Sequence, residues 1–350
     1  VEVSVGERNP GPGQAGLAVG IASGGLDSLL AVKVVQRLGF EVVALHFVIG
    51  FESAHLRGFI ERPDEPARAS PALLATGARV EVHDVRAGYL PLLADPPCGF
   101  GSQCNPCIDC HAFMLAQAGQ RMRALGAAFV FSGEVLGQRP MSQNSQSLVR
   151  VAERSGLGDR LVRPLSGALL PPTAPEREGV LRRADLLDLS GRGRQRQQAL
   201  AMELGVRDYP SPAGGCLLTD PQYCVRLRDL FARRPGRLLR VDDPLLLFVG
   251  RHLVLPSGAK VVIGRRDEEN GVVARYAPRG LVFEAVEQNG PTAFLEGAPP
   301  DQDVLDVARL VARYGQGRGL PRVAIRVSAP DGSTRVLEVE PGTPEGCRVL

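Results

Sequence analysis

Short apolar runs alternate with amphipathic segments through the first part of the chain. Residues 16–22 (GLAVGIA) form a continuous apolar run of buried-strand type that stops at two glycines. Beyond it Leu29, Leu30, Val34 and Leu38 recur at helical spacing, and Gly39 closes that helix. Residues 41–48 (EVVALHFV), 78–85 and 128–132 repeat the strand pattern, and residues 111–125 repeat the helical one. A strand, helix and strand within about 35 residues predict parallel pairing through a right-handed crossover. Repeated along the chain, this predicts a doubly wound parallel α/β sheet. Residues 49–71, rich in Arg, Glu and Pro, read as a surface excursion on that scaffold.

From residue 161 the chain is Pro-rich, and a helix is predicted over 182–204, including the basic run 191–196. Residues 209–216 hold two prolines and two glycines, which exclude regular structure there. A helix is predicted over 220–233. After Pro235-Gly236, short alternating strands (245–249, 252–255, 259–263) and a helix at 303–314 predict a second, smaller α+β domain. The boundary is therefore expected near 236. Residues 1–236 then carry the sheet, a cysteine cluster and a helical extension, and residues 237–350 carry the smaller domain.

Composition narrows the class. Apolar residues make up 44% and charged ones 23%, which excludes wholesale disorder. No apolar run approaches the roughly 20 residues of a membrane span. The N-terminus has no basic segment with an apolar core, so a cytoplasmic protein is expected. A net charge of +3 does not demand a polyanionic partner. Yet Lys33 and Lys260 are the only lysines, so the positive charge is almost entirely arginine, which suits bidentate phosphate contacts. Coding bias or a hot habitat would produce the same skew.

The segment Ser23-Gly24-Gly25-Leu26-Asp27-Ser28 joins the first strand to the first helix. Glycines let the backbone approach a phosphate, and the exposed N–H groups and helix dipole favour an anion. Ser23 and Ser28 add hydroxyls. Asp27 is unusual beside an anion and points to orienting the loop or sharing Mg²⁺; Asp27 and Ser28 are the catalytic candidates. The turn lacks the Gly-Lys-Ser/Thr ending of kinase and GTPase loops. A plain strand-to-helix turn, with Ser or Asp capping the helix, is the structural alternative. ATP is expected with its phosphates on residues 23–28 and its adenine at the end of the second strand near His46 and Phe47, with Gly133 closing the site. Glu134, Gln138 and Arg139 follow at the same edge.

Seven cysteines in such a chain read as reduced, metal-bound or catalytic. Cys98, Cys104, Cys107 and Cys110 cluster, with His111 adjoining. A structural zinc site, a persulfide-carrying pair, an iron–sulfur cluster and unligated thiols all fit that spacing. Cys216 sits in Pro-Ala-Gly-Gly-Cys, where glycines let the backbone pass close to a bulky group. Cys224 and Cys347 read as fillers.

SGGLDS resembles the SGGxDS signature of the PP-loop ATPases, whose fold is adenine-nucleotide alpha-hydrolase-like. Longer phrases, SGEVLGQRPMSQ (132–143), RPLSGALLPPT (163–173), SGRGRQRQ (190–197), PSPAGGCLLTDP (210–221) and GRHLVLPSGAKVVIGRRDEEN (250–270), resemble a branch of bacterial tRNA thiouridylases. The resemblance implies that ATP and Mg²⁺ adenylate a tRNA uridine. It also implies a [4Fe–4S] cluster on Cys107, Cys110 and Cys216, with Cys104 as competitor and one iron left open. Sulfur would come from sulfide or a cysteine desulfurase. The C-terminal part resembles a small RNA-binding domain of ribosome-associated quality-control proteins. Arg192, Arg194 and Arg196, and separately Arg251, Arg265 and Arg266, are the candidate tRNA contacts. Two other functions compete: an adenylating, amidotransferase-like ligase with structural zinc, and a non-catalytic RNA-binding factor. The sequence is silent on oligomeric state.

Overall fold

The structure is a computed structural model that describes residues 16–63, 65–210 and 215–350. Its first half runs Leu17–Ile21 (β1), Leu26–Arg37 (α1), Glu41–Val48 (β2), Ser53–Glu61 (α2), Pro71–Leu74 (α3) and Arg79–Asp84 (β3). Arg86–Ala94 (α4), Cys107–Leu125 (α5), Phe129–Ser132 (β4), Ser145–Arg154 (α6), Leu161–Val162 (β5), Ala174–Arg177 (α7) and Gln195–Glu203 (α8) come next. The strands lie in the order β3-β2-β1-β4-β5, and every neighbouring pair is parallel.

Alternation along the strands explains why both faces are covered. Ala18, Val42, Ala44, Phe129 and Phe131 pack with α1 and with Leu200 and Ala201 of α8. Val19, Val43, Leu45, Phe47 and Val130 pack with Leu115, Ala118 and Met122 of α5 and Val151 of α6. This is a doubly wound α/β sheet. Its strand order reverses direction between β1 and β4, where the carboxyl ends open a crevice.

The remaining elements are Pro221–Arg233 (α9), Asp243–Phe248 (α10), Arg251–Val254 (β6), Lys260–Ile263 (β7), Asp267–Ala274 (α11), Gly280–Ala285 (β8) and Ala293–Glu296 (β9). Asp301–Tyr314 (α12), Val323–Ser328 (β10), Thr334–Val339 (β11) and Arg348–Val349 (β12) come last. They form an antiparallel sheet, β11-β10-β8-β9-β7-β6-β12. Leu253, Val261, Ile263, Phe283, Leu295 and Ile325 bury one face under α12. Val262, Val282 and Phe294 bury the other with α10 and α11.

Three expectations need correction. Of the expected strand 245–249, residues 245–248 are helical and belong to α10, because Pro244 and Asp243 begin a helix that the apolar run LLLF merely continues, and only Val249 is extended. The helix expected over 182–204 shrinks to Gln195–Glu203, since Gly191 sits at φ +82° and stops it from starting earlier. The excursion after β2 is a folded element of the second unit. The chain divides into residues up to 49 with 66–215, and residues 50–65 with 216–350.

Phe51 is fully buried and its ring meets Tyr223 of α9 edge-on at 6.2 Å, while Ile60 of α2 joins the α10–α11 core. The division therefore falls at Gly215/Cys216 rather than near 236. Tyr223 also donates to the Pro244 carbonyl at 3.1 Å, which ties α9 to α10 and so to the second unit. No helix among the described residues is long and apolar enough to cross a membrane.

Candidate active site

The turn at residues 23–28 leaves β1 at its carboxyl end. Gly24 lies at φ +81°, and a Cβ there would also overlap Ser70 Oγ, so two constraints demand glycine. Gly25 caps α1 without any side-chain hydrogen bond. Ser28 Oγ donates to the Gly25 carbonyl at 2.8 Å instead, so the serine and aspartate do not consume the first N–H groups of the helix. Those groups, with the helix dipole, make a ready anion site. Leu26 is buried in the core and offers only its backbone. His46 is buried, its Nδ1 2.9 Å from the Ala22 carbonyl just before the turn. Phe47 is buried against α5 and its ring lies 5.6 Å from that of His83.

The second wall comes from the end of β4. A Cβ on Gly133 would stand 2.7 Å from the Asp27 carbonyl carbon and oxygen and from Ser28 Cα. Backbone therefore packs directly on backbone across the crevice. Gly133→Ala should push these segments apart, cost about 1–3 kcal/mol and, under the function proposed below, weaken nucleotide binding by an order of magnitude or more. Calorimetric titration and urea unfolding would measure both, and unchanged affinity would contradict the role given to this contact.

Asp27 is the hub. Its Oδ2 accepts from Gln138 Nε2 at 2.9 Å and from Arg194 Nη2 at 3.0 Å. Its Oδ1 is buried with no partner. The two donors arrive on segments that pair with each other: Leu136 bridges Ser190, and Gly191 N–H donates to the Leu136 carbonyl at 2.8 Å. An unsatisfied carboxylate oxygen beside an anion site is the donor chemistry a Mg²⁺–phosphate complex requires. The arginine run 192–196 is thus not a uniform solvated stripe. Arg194 binds Asp27 and Arg196 binds Asp188, while Arg192 is exposed.

Glu134 follows Gly133 and is 2% exposed. Its Oε2 accepts from Arg163 Nε at 2.9 Å and from Ser132 Oγ at 2.9 Å, and its Oε1 lies 3.0 Å from His111 Nδ1. Burial alone pushes a carboxyl upward, yet Arg163 and His111 outweigh it and hold Glu134 at about 2. The His111 contact ties the start of α5 to the carboxyl end of β4. Ser70 carries no local motif that marks it, and Arg163, although it opens the phrase at 163–173, carries no sign of its contact with Glu134.

Cys107 opens α5 and Cys110 is one turn on, so the two share a face of the helix's first turn. Asn105 Nδ2 donates to Cys107 Sγ at 3.2 Å, as around metal-bound sulfur. Cys104 is buried and Cys98 exposed. Cys216 belongs to the second unit, where it bridges Glu52; Ala213 and Gly214 of its motif lie outside the described residues. The pair on α5 fits two cluster ligands. No group of three His, Cys, Asp or Glu side chains is gathered for a metal among the described residues. Cys224 is fully buried, and Cys347 packs against the second core.

Residues 250–348 match the family model of the NFACT protein RNA-binding domain. No curated protein matches the sequence. The solved structures similar to the chain include a 4-thiouridine synthetase–RNA complex with bound ATP (19% identity, 55% of this chain, 52% of that one, TM-score 0.31). They also include NMN synthetase from Francisella tularensis (11% identity, 57% and 90%, TM-score 0.26). A third is the C-terminal part of the fibronectin/fibrinogen-binding protein from Streptococcus suis (15% identity, 42% and 73%, TM-score 0.24).

Proposed function

We propose that the chain is an ATP-dependent tRNA sulfurtransferase of the PP-loop class, which adenylates a uridine carbonyl and replaces its oxygen with sulfur. One observation carries this reading. Within the first unit an unbroken set of contacts runs from the α5 thiol turn through His111, Glu134 and Gly133 to Asp27 on the phosphate turn. A nucleotide-binding turn and a pair of thiols therefore serve one sheet edge, where ligands of such sheets bind.

ATP would lie with its phosphates on Ser23, Gly24, Gly25, Leu26, Asp27 and Ser28, and Asp27, whose Oδ1 has no partner, would hold Mg²⁺. Arg194 and Gln138 fix the Asp27 carboxylate through its Oδ2. The uridine carbonyl oxygen attacks the α-phosphorus, and pyrophosphate leaves. A sulfide-level sulfur nucleophile, either sulfide itself or desulfurase-derived sulfur released by a reducing thiol, then forms the C–S bond as the C–O bond breaks and AMP departs with the former carbonyl oxygen. A [4Fe–4S] cluster held by Cys107, Cys110 and Cys216, when bound, supplies an open iron for that sulfur. The match of residues 250–348 to an RNA-binding domain supports tRNA as the partner.

Cys107→Ala, Cys110→Ala and Cys216→Ala should each lose iron, whereas Cys98→Ala and Cys104→Ala should retain it. Iron analysis of anaerobically purified protein reads this directly. Colourless protein carrying stoichiometric zinc would instead favour a ligase with structural zinc. Mass spectrometry of tRNA nucleosides from cells with and without the protein tests the whole proposal; identical thiouridine content would refute it.

A further inference from the structure

Strand pairing in the second unit gathers several element ends into one row. Arg251 at the start of β6 faces Ile263 at the end of β7, which faces Ala293 at the start of β9. Ala293 faces Phe283 on β8, and Ala285 at the end of β8 faces Ile325 near the start of β10. The end of α12 reaches the same row, because Gln316 N–H donates to the Asn289 carbonyl at 2.9 Å. Gly317 lies against Val323 so closely that a Cβ there would stand 2.7 Å from the valine methyl.

At this end the Arg251 guanidinium lies 5.0 Å from the centroid of the Tyr314 ring. Both residues are exposed, Tyr314 at 38%. The turn after α12 adds Arg318 and Arg322, and Arg313 stands on its last turn, all exposed. Arg251, Arg313, Arg318 and Arg322 have no carboxylate partner among the described residues. Arg233, Arg234, Arg240 and Arg279 of the same unit each pair with one. Asp267 and Glu268, which open α11, belong to the opposite face of the sheet, and Glu287 follows β8.

We infer that this end of the second unit is the RNA-docking surface, with an unpaired base stacked on the Arg251–Tyr314 platform and the neighbouring arginines on its phosphates. An exposed aromatic ring already layered with a guanidinium extends naturally to a third planar group, which single-stranded RNA offers and duplex RNA hides. Unneutralised guanidinium groups around it suit the backbone. The inference rests on the RNA-directed function proposed for the chain and adds where the RNA sits and in what form.

The test uses the full chain and two fluorescent probes, an unstructured oligoribonucleotide and a duplex of equal length, titrated over a range of salt. Tyr314→Leu and Arg251→Leu should each weaken single-strand binding by about 5- to 50-fold, while Tyr314→Phe keeps it. Arg318→Gln should lower the salt slope by about 0.7. Equal single-strand affinity in Tyr314→Leu, or an equal loss on the duplex, would overturn the platform. Displacement by an acidic polypeptide as effective as by RNA would assign the surface to proteins and overturn it too. Wild-type protein that binds neither probe would refute the RNA-directed function itself, a result distinct from wild-type binding that the substitutions leave untouched.

Discussion

Arg163→Met should destabilise the first unit by about 3–5 kcal/mol at neutral pH, because it leaves the Glu134 carboxylate buried without its cation. Arg163 holds that carboxylate at 2.9 Å and braces the Leu148 carbonyl of α6 at 2.8 Å. The pH dependence gives the effect a signature. In the native chain Glu134 is depressed from 4.5 to about 2, so its contribution is complete above the unfolded value and fades as pH falls towards the folded one. Without Arg163, burial dominates and Glu134 takes up a proton more readily, so the deficit relative to wild type should shrink below about pH 4. Glu134→Leu combined with Arg163→Met should recover part of the loss, as paired apolar replacements of buried ion pairs do. Urea unfolding at several pH values measures all three. A deficit that stays constant with pH would show that Arg163 acts through packing alone.

Asp27→Ala should lower ATP-dependent turnover on RNA by on the order of 10²–10³-fold, the scale of losing one preorganised electrostatic group. The loss has two components that separate by experiment. Removing a negative charge beside the phosphates should leave metal-free ATP binding as tight as in wild type, or tighter. Removing the unpartnered Oδ1 should abolish the gain that Mg²⁺ brings. Calorimetric titration with and without Mg²⁺ would reveal this inversion, and a variant that still responds to Mg²⁺ like wild type would place the metal elsewhere.

The features legible in the sequence are those that neighbouring residues decide. The run 41–48 coincides with β2 because eight apolar-rich residues between Phe40 and Gly50 leave no competing pattern. The turn from β1 to α1 is legible for the same reason, since Gly24 and Gly25 break the apolar run between them. α5 starts at Cys107, four residues before the start expected from the periodicity, directly after Pro106. The features that escaped entirely depend on distance along the chain. Arg163 and Glu134 meet across 29 positions, and Arg194 reaches Asp27 across 167. Neither pair has a local signature, because the sheet's parallel order brings them together. Residues 245–249 misled for another reason: LLLF is too short for its period to separate helix from strand.

The excursion at residues 50–65 has a consequence for how the chain matures. Phe51, Leu56 and Ile60 leave the ribosome early, but the α9, α10 and α11 side chains that bury Phe51 and Ile60 are synthesised well over a hundred residues later. Until then this apolar patch lacks the core that buries it in the finished chain. A fragment that begins at residue 216 would lack the piece that its own core was built around.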